Sequence, residues 1–209
     1  QDCVLPAQFD VAVGNVPFGN FALYDKEVGG GRALVHDFII TKSLRKLRPG
    51  GVALFVTSAG TMDKQNANER RKMSALADFC GAVRLPNTTF KEEGVSVLTD
   101  ILVFQRRSEH AHATRATPEQ WIETVDGPSG LPLNQYFARN PAQVLGELGT
   151  ASSQYGKCRL QVQGAAPTGD ELAAALGAIP VKFSVGEAIA PIELKPVADE
   201  GMPEGSFQI

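Results

Sequence analysis

Cysteine, histidine and long apolar runs are scarce in this 209-residue sequence, and each scarcity excludes a class of protein. Cys3, Cys80 and Cys158 are widely spaced and form no Cys-x-x-Cys pair, so the sequence predicts reduced thiols rather than a zinc site or a disulfide framework. No apolar run approaches the ~20 residues of a membrane span, and no signal peptide is recognisable. These absences predict a protein of the cytoplasm of a bacterial-type cell, with no membrane partner.

An excess of basic residues is absent as well. The chain has 20 Lys and Arg against 23 Asp and Glu, which gives a formal net charge of −3. A domain coated with basic residues for nucleic acid is therefore excluded, and local clusters would have to bind any phosphate. Residues 69–72 (Glu-Arg-Arg-Lys) are one such cluster, for which a solvated helix face is the alternative. His110 and His112 lack a cysteine or carboxylate partner at suitable spacing, so no metal site is predicted.

The stretch Phe9–Gly19 is the one around which the chain is organised. Its β-branched residues, which end at Gly14, predict a buried strand, and a turn that contains Pro17 follows it. Strand ends in α/β sheets are where ligands bind. We therefore expect a binding site at this turn.

Asn15 and Val16 offer the two acceptors that methylation of an exocyclic amino group requires. Such a nitrogen is a poor nucleophile because its lone pair is delocalised into the ring, so an enzyme must accept hydrogen bonds from its two N–H groups. The side-chain oxygen of Asn15 and the backbone carbonyl of Val16 are the candidates, and Pro17 stiffens the turn because its φ is fixed. Phe18 would stack on a base that is flipped out of its helix. These residue types point to methyl transfer.

Helical and strand patterns alternate after the turn. Residues 20–32, with three consecutive glycines, predict a loop that is either a lid facing the target base or nucleic acid, or a flexible connection. His36, near the start of the next helix, is a candidate proton acceptor, with capping or packing as the alternative. The last two strands are joined by a short loop, which predicts an antiparallel hairpin at the sheet edge. The predicted elements are helices 33–47 and 67–79 and strands 51–58, 80–85 and 95–107.

The region after residue 107 is less regular. Thr117 and Pro118 predict a helix start, and Trp121 is expected to anchor this region on the main domain. A strand is predicted over 158–162 and a helix over 170–177, capped by Thr168 or Gly169. The residues after Val181 are rich in Pro, Gly and Glu, which is typical of a linker. The predicted organisation is a domain over 1–107, a small C-terminal extension over 108–180 and a linker toward a further domain over 181–209.

Residues 9–107 contain three further segments with a family pattern: HDF…KSL-x-K-x-RPGG-V-x-FVTS-x-GTMDK, GAVRLPNTTF and VLTDILVFQRR. Asn15-Val16-Pro17-Phe18 is similar to motif IV of amino-group methyltransferases, (Asn/Asp/Ser)-Pro-Pro-(Tyr/Phe), with Val16 in place of the first proline. Together they resemble the N6-adenine DNA methyltransferase domain of the helicase-linked methyltransferases of plasmids and mobile elements.

This resemblance implies a fold, a reaction and partners. The fold would be α/β, the C-terminal half of a Rossmann-like methyltransferase sheet that ends in an antiparallel hairpin. The chain would transfer a methyl group from S-adenosylmethionine to the amino group of a flipped adenine in DNA, and a helicase domain would lie in the same polypeptide. Asn15, Val16, Pro17 and Phe18 would be catalytic, while Phe90, stacked on the adenine, and Gly19 would bind the substrate. Phe90 could instead be a core residue under the hairpin.

The resemblance also exposes a gap. These enzymes hold the methionine part of the cofactor in a Gly-rich turn and bind its ribose through an acidic strand end, and neither pattern occurs before Asn15. Both would precede Gln1, so we expect the sequence to be an excerpt of a longer polypeptide that is inactive in isolation. Asp2, with Asn15, is the candidate for a cofactor contact.

Two alternatives remain open at this point. Methyltransferases that act on a protein glutamine or an RNA adenine have a near-identical motif IV. From a different class, the chain could be a non-catalytic DNA-binding module attached to a helicase, in which Val16 marks a decayed site.

Overall fold

A computed structural model describes residues 9–19, 21–24, 32–91, 97–107, 120–152 and 158–181. The strands are β1 (Phe9–Asn15), β2 (Ala22–Tyr24), β3 (Arg32–Leu34), β4 (Leu47–Ser58), β5 (Ala77–Leu85), β6 (Thr99–Arg106), β7 (Thr124–Asp126), β8 (Pro132–Asn134), β9 (Glu147–Ser152) and β10 (Cys158–Gln163). The helices are α1 (Val35–Lys46), α2 (Gly60–Asp63), α3 (Asn68–Leu76), α4 (Gln135–Arg139) and α5 (Gly169–Gly177). Two 3₁₀ turns lie at Pro128–Gly130 and Pro141–Gln143.

Four strands form a central mixed sheet in the order β1-β4-β6-β5. β1 and β4 are parallel, whereas β6 is antiparallel to both β4 and β5. The carboxyl ends of β1, β4 and β5 therefore lie at one edge of the sheet, together with the beginning of β6. The predicted α/β class and the antiparallel β5–β6 pair are confirmed, and β6 inserts between β4 and β5.

The side chains of β4 separate the two faces of the sheet. Gly51, Ala53, Phe55 and Thr57 alternate with half-buried residues and point to the first face, where α1 packs. That face holds the main core, whose buried members include Ile40, Leu44, Met73, Leu102, Phe104, Trp121 and Phe137. The second face carries a smaller cluster of Val83, Leu85, Ile101, Val103 and Ile179, against which the apolar side of α5 packs. Burying one large apolar side chain stabilises the folded state by about 1.5–3 kcal/mol. These two layers are therefore the main source of stability.

β1 is a strand, as predicted, but the prediction that it is buried was wrong. Among the described residues β1 pairs with β4 alone, and its side chains Phe9, Val11 and Val13 are 42%, 51% and 73% exposed. An apolar β-branched run indicates strand geometry, whereas its burial depends on what lies beside it. Only the residues of β1 that face α1, such as Ala12, pack against the main core.

β5 begins earlier than the sequence predicts. Residues 77–79 were expected to end a helix, yet α3 ends at Leu76 and Ala77 has extended backbone angles of φ −144° and ψ 154°. Phe79 pairs with Phe104 on β6 and stacks on Trp121, with ring centroids 4.6 Å apart. These tertiary contacts override a local pattern that is compatible with either structure.

A bulge at Cys80 interrupts β5. Phe79 pairs with Phe104 and Gly81 pairs with Val103, so one residue of β5 has no partner on β6. Such an extra residue changes which face the following side chains point to. Gly81 is needed at this place because a Cβ atom there would lie 2.8 Å from the Tyr136 hydroxyl and 3.0 Å from Ile179.

Other predicted elements have mixed outcomes. β4, β10 and α5 are confirmed, although β4 begins at Leu47 rather than at the predicted Gly51. The Thr168 hydroxyl caps α5 in a capping box with Glu171. Residues 32–34, expected in a loop and at the start of a helix, instead form β3, which pairs with β2. Cys80 and Cys158 are free thiols, as predicted. Cys3, His110, His112, Thr117 and Pro118, the central glycines of residues 20–32 and the predicted linker lie outside the described residues.

The C-terminal extension packs into the main domain. Trp121 is 1% exposed and lies in the main core, which confirms that it anchors this region. The backbone N–H of Leu145 donates to the Arg84 carbonyl at 2.9 Å, and the N–H of Val162 donates to Asn87 Oδ1 at 2.8 Å. The division at residue 107 stays a prediction, but the described parts on either side of it share one core. Within the described ranges, no helix has the length and apolar character needed to cross a bilayer.

A buried ionic network joins the sheet to this extension. Arg84 on β5 and Asp100 on β6 are both fully buried, and two hydrogen bonds of 2.7 and 2.8 Å connect them. Arg84 also contacts Asp63 at the end of α2, at 2.9 Å, and lies over the Phe137 ring at 4.1 Å. Burial raises the pKa of Asp100 to about 6, and the opposing attraction of Arg84 does not fully cancel this effect.

Replacing the central cation of this network should cost much of the folding stability. Arg84→Met leaves two carboxyl groups close together without a counter-charge, so we expect a loss of about 3–5 kcal/mol in the free energy of unfolding. Equilibrium urea unfolding measures it. The control is Arg71→Met, whose partner Glu123 is 58% exposed, and which should change stability by about 1 kcal/mol or less. Equal effects of the two variants would contradict the structural role of Arg84.

Candidate active site

Asn15 lies where the sequence predicts it, at the carboxyl end of a strand. It is the last residue of β1, it is exposed, and it pairs in register with Val56 of β4. Val56 in turn pairs with Ile101, and Ile101 with Val83, so the candidate residue stands in one row across the sheet. An amide side chain in this position is presented to solvent by a rigid element.

Val16 is fixed in a way that the sequence alone did not indicate. Its backbone N–H donates to the Val56 carbonyl at 3.0 Å, and its side chain is 3% exposed and belongs to the main core. A proline at this position has no N–H and could not make this hydrogen bond. The turn is therefore held by a backbone hydrogen bond and by burial, where the family pattern uses a proline ring.

The rest of the turn is more open. Pro17 is exposed, and Phe18 and Gly19 are half-buried. The ring of Phe21 lies over Gly19, where a Cβ atom would come within 2.6 Å of it. A side chain at position 19 would therefore displace the Phe21 ring.

A cleft of about 560 Å³ runs between β1 and α1 and reaches this turn. The structure brings three of the predicted site residues, Asn15, Val16 and Pro17, together along it. Its other walls are mostly apolar, with the exception of Lys42, Ser43 and Lys46 of α1. Among the described residues that line it, none is a carboxylate.

The described residues do not by themselves fit S-adenosylmethionine. Its ribose hydroxyls and methionine ammonium call for several acidic or carbonyl acceptors. Among the described side chains of the cleft wall, the polar ones are two lysine ammonium groups, the Ser43 hydroxyl and the Asn15 amide, and none is acidic. Asp2, the predicted cofactor contact, lies outside the described residues. Asn15, the other predicted cofactor contact, lines the cleft. Across the described ranges, no three His, Cys, Asp or Glu side chains converge to hold a metal ion.

Phe90 follows β5 in the turn that leads toward β6. It is half-buried and packs against the cluster on the second face of the sheet. It does not line the cleft that contains Asn15, as far as the described residues show. The contacts of its side chain are those of the core alternative, and its stacking on a base stays a prediction.

His36 and Asp37 form a buried pair in the first turn of α1. They are 5% and 2% exposed, and His36 Nε2 lies 3.6 Å from Asp37 Oδ2. Burial raises the pKa of Asp37 above its ordinary value, and the nearby His36 partly opposes this. No side chain caps the N-terminus of α1, so His36 is not a capping residue. Its burial matches the packing role that was the alternative to a proton acceptor.

The cluster at residues 69–72 divides into two parts. The prediction that Arg70 lies on the exposed part of the helix was wrong, because its side chain is only 2% exposed. Its guanidinium donates to the carbonyls of Ile122, Thr61 and Lys64 at 2.6, 3.1 and 2.6 Å, and so fastens α3 to the extension. Arg71 faces solvent.

The chain is similar in sequence to part of a bacteriophage protein. No protein-family model matches it. Over 123 residues, which is 56% of this chain, it is 30% identical to the Defense against restriction protein B of Escherichia phage P1. The chain spans 5% of the length of that protein.

Several solved structures are partly similar. A type I restriction-modification complex shares 25% identity with a TM-score of 0.40, covering 47% of this chain and 21% of that one. A putative class I S-adenosylmethionine-dependent methyltransferase from Listeria monocytogenes shares 18% (TM-score 0.41; 59% and 37% covered). The EcoKI M protein of a type I restriction enzyme shares 16% (TM-score 0.42; 84% and 48% covered). At these TM-scores the likeness is too partial to assign a function.

Val16→Pro tests how the turn is held. The substitution restores the residue of the motif pattern but removes the N–H that donates to the Val56 carbonyl, so this carbonyl loses its donor. We expect a loss of about 1–3 kcal/mol in the free energy of unfolding, measured by urea titration. The exposed Pro17→Ala should cost less, about 0.4–1 kcal/mol, because it changes only the freedom of the unfolded chain. A Val16→Pro variant as stable as the wild type would show that the ring replaces the hydrogen bond.

Proposed function

We propose that this chain is the target-base half of an S-adenosylmethionine-dependent DNA adenine-N6 methyltransferase. The observation that carries the proposal is the pair of acceptors at the end of β1. Asn15 is exposed there, and the next residue, Val16, is fixed to β4 by its own N–H. One side-chain oxygen and one backbone carbonyl, on adjacent residues of a rigid strand end, match the two N–H groups of an adenine amino group.

The role of these residues is orientation. When Asn15 and Val16 accept the two amino hydrogens, the nitrogen lone pair turns away from the ring plane and toward the methyl donor. Phe18, half-buried beside them, would support the face of the extruded base. Positioning of this kind supplies a large part of a rate enhancement. The N6 proton leaves to solvent after transfer, so no strong base is required beside Asn15.

S-adenosylmethionine supplies the methyl group in this proposal, as an electrophilic sulfonium. Because the described residues do not form its pocket, we propose that other residues of the natural polypeptide hold it. The sequence pattern after the turn and the likeness to a phage protein named for defence against restriction support a mobile-element setting. A helicase domain in the same polypeptide is the partner that this setting implies.

Asn15→Ala in the natural polypeptide that carries this chain tests the assignment. The wild type should transfer labelled methyl from S-adenosylmethionine to adenine in duplex DNA. The variant should lose nearly all of this activity, because one of the two acceptors is gone, while its urea midpoint stays close to that of the wild type. Gln163→Ala, which removes an exposed amide on β10, is the matched control and should leave the activity unchanged.

The same assay separates the alternatives. If RNA or a protein glutamine is labelled instead of DNA, the substrate class is different from the one proposed, but the role of Asn15 stays the same. Methylation of DNA that survives Asn15→Ala would show that the motif assignment is wrong. No transfer to any of the three substrates would favour the non-catalytic module.

A further inference from the structure

A second groove has a more polar lining than the cleft at the motif turn. It has a volume of about 620 Å³ and runs between the β2–β3 hairpin and the first turns of α3. Ala22, Ala33 and Leu34 form its hairpin wall, and the loop before α3 and α3 itself form the opposite wall. We call it the hairpin groove.

Positive charge prevails in the hairpin groove although the chain as a whole is negative. Among the described residues, its charged lining consists of Lys64, Arg71 and Lys72 against one acid, Glu69. Lys72 is paired with Glu69 at 2.8 Å, which leaves Lys64 and Arg71 as the cations that can meet a ligand. Arg71 contacts Glu123 at 2.6 Å, but both side chains are more than half exposed. Such a surface pair contributes about 1 kcal/mol or less, so an anion can compete for Arg71.

The hairpin adds exposed aromatic rings to this charged wall. The Val35 N–H donates to the Phe21 carbonyl at 3.1 Å, which continues the β2–β3 ladder back to Phe21 beside the motif. Side chains alternate along a strand, so Tyr24 shares a face with Ala22, and Ala22 lines the groove. Tyr24 is 59% exposed and Phe21 is 55% exposed. A cationic groove bordered by an exposed ring such as Tyr24 is an arrangement with which proteins hold unpaired nucleic acid strands.

We propose that the hairpin groove binds the DNA strand next to the extruded adenine, with Lys64 and Arg71 at its phosphates and Tyr24 stacked on a neighbouring unpaired base. This inference rests on the proposed function. The hairpin leaves the motif turn directly at Phe21, so a strand that delivers its base to Asn15 passes this groove. The groove therefore supplies backbone contacts that the overall charge of the chain does not.

The test is DNA binding by the natural polypeptide, measured with a fluorescent duplex that contains an unpaired adenine, at several salt concentrations. Lys64→Gln and Arg71→Gln should each lower the slope of log affinity against log salt by about 1, because each removes one phosphate contact. Tyr24→Ala should weaken binding about tenfold, whereas Tyr24→Phe, which keeps the ring, should bind nearly as tightly as the wild type. All four changes lie at exposed positions, and urea midpoints verify that the variants fold.

Arg45→Gln is the matched control for charge. Arg45 is exposed in the last turn of α1 and does not line the groove, so its substitution should leave the salt slope unchanged. A slope and an affinity that stay at wild-type values in the Lys64, Arg71 and Tyr24 variants would overturn the groove while leaving an Asn15-dependent methyl transfer intact. If the variants have reduced salt slopes but the wild-type polypeptide transfers no methyl group, the result would support DNA binding in the groove and contradict the proposed reaction.

Discussion

A guanidinium without access to solvent holds the carboxyl edge of the sheet together. Arg84 links β5 to β6 through Asp100, and links both to α2 through Asp63. The register places Asp100 opposite Thr57 and Arg84, one position beyond the row that contains Asn15. Charges in this position are stabilising only if every partner is present, so the network fixes the strand ends as a unit. The candidate site is built on that edge.

Asn134 extends the same constraint into the C-terminal part of the chain. Its fully buried side chain donates to the carbonyls of Met62 and Trp121 at 2.7 and 2.8 Å and accepts from the Tyr136 N–H at 2.9 Å. Its own N–H donates to Asp63, at 2.8 Å. The carboxylate that completes the Arg84 network is thus also the anchor of β8 and α4. The extension contributes to the order of the sheet edge as well as covering it.

The sequence was sufficient for those features that depend on local pattern. β4, the β5–β6 pair, α5 with its Thr168 cap, and a strand ending at Asn15 all follow from periodicity and turn chemistry. It was insufficient where a distant partner decides. Arg70 has the composition of a solvated helix face, yet three carbonyls from other segments draw it inward.

The same distinction between local pattern and distant partners applies to the candidate site. The acceptors of Asn15 and Val16 could be inferred from residue types, but the hydrogen bond from Val16 to Val56 could not, because it depends on the β1–β4 register. The loop over 20–32 and the cluster at 69–72 were named as separate candidates for contact with nucleic acid, but the sequence did not predict that they form one groove. Its wall at β2 and β3 is formed by three-residue strands that have no periodic signal, and its cations are separated in sequence from the aromatic residues.

The bulge at Cys80 determines which face of the sheet each later side chain of β5 points to. Before it, Phe79 packs beside Trp121 in the main core; after it, Ala82 joins that core while Val83 and Leu85 support α5 on the other face. Because Phe104 and Val103 are consecutive residues of β6, loss of this one residue would leave a regular ladder in which Arg84 still pairs with Asp100. Loss of a residue elsewhere in β5 would turn Arg84 away from Asp100. Related sequences can therefore differ by one residue at this point and keep the later register of β5, whereas a gap placed elsewhere in the strand signals a misalignment.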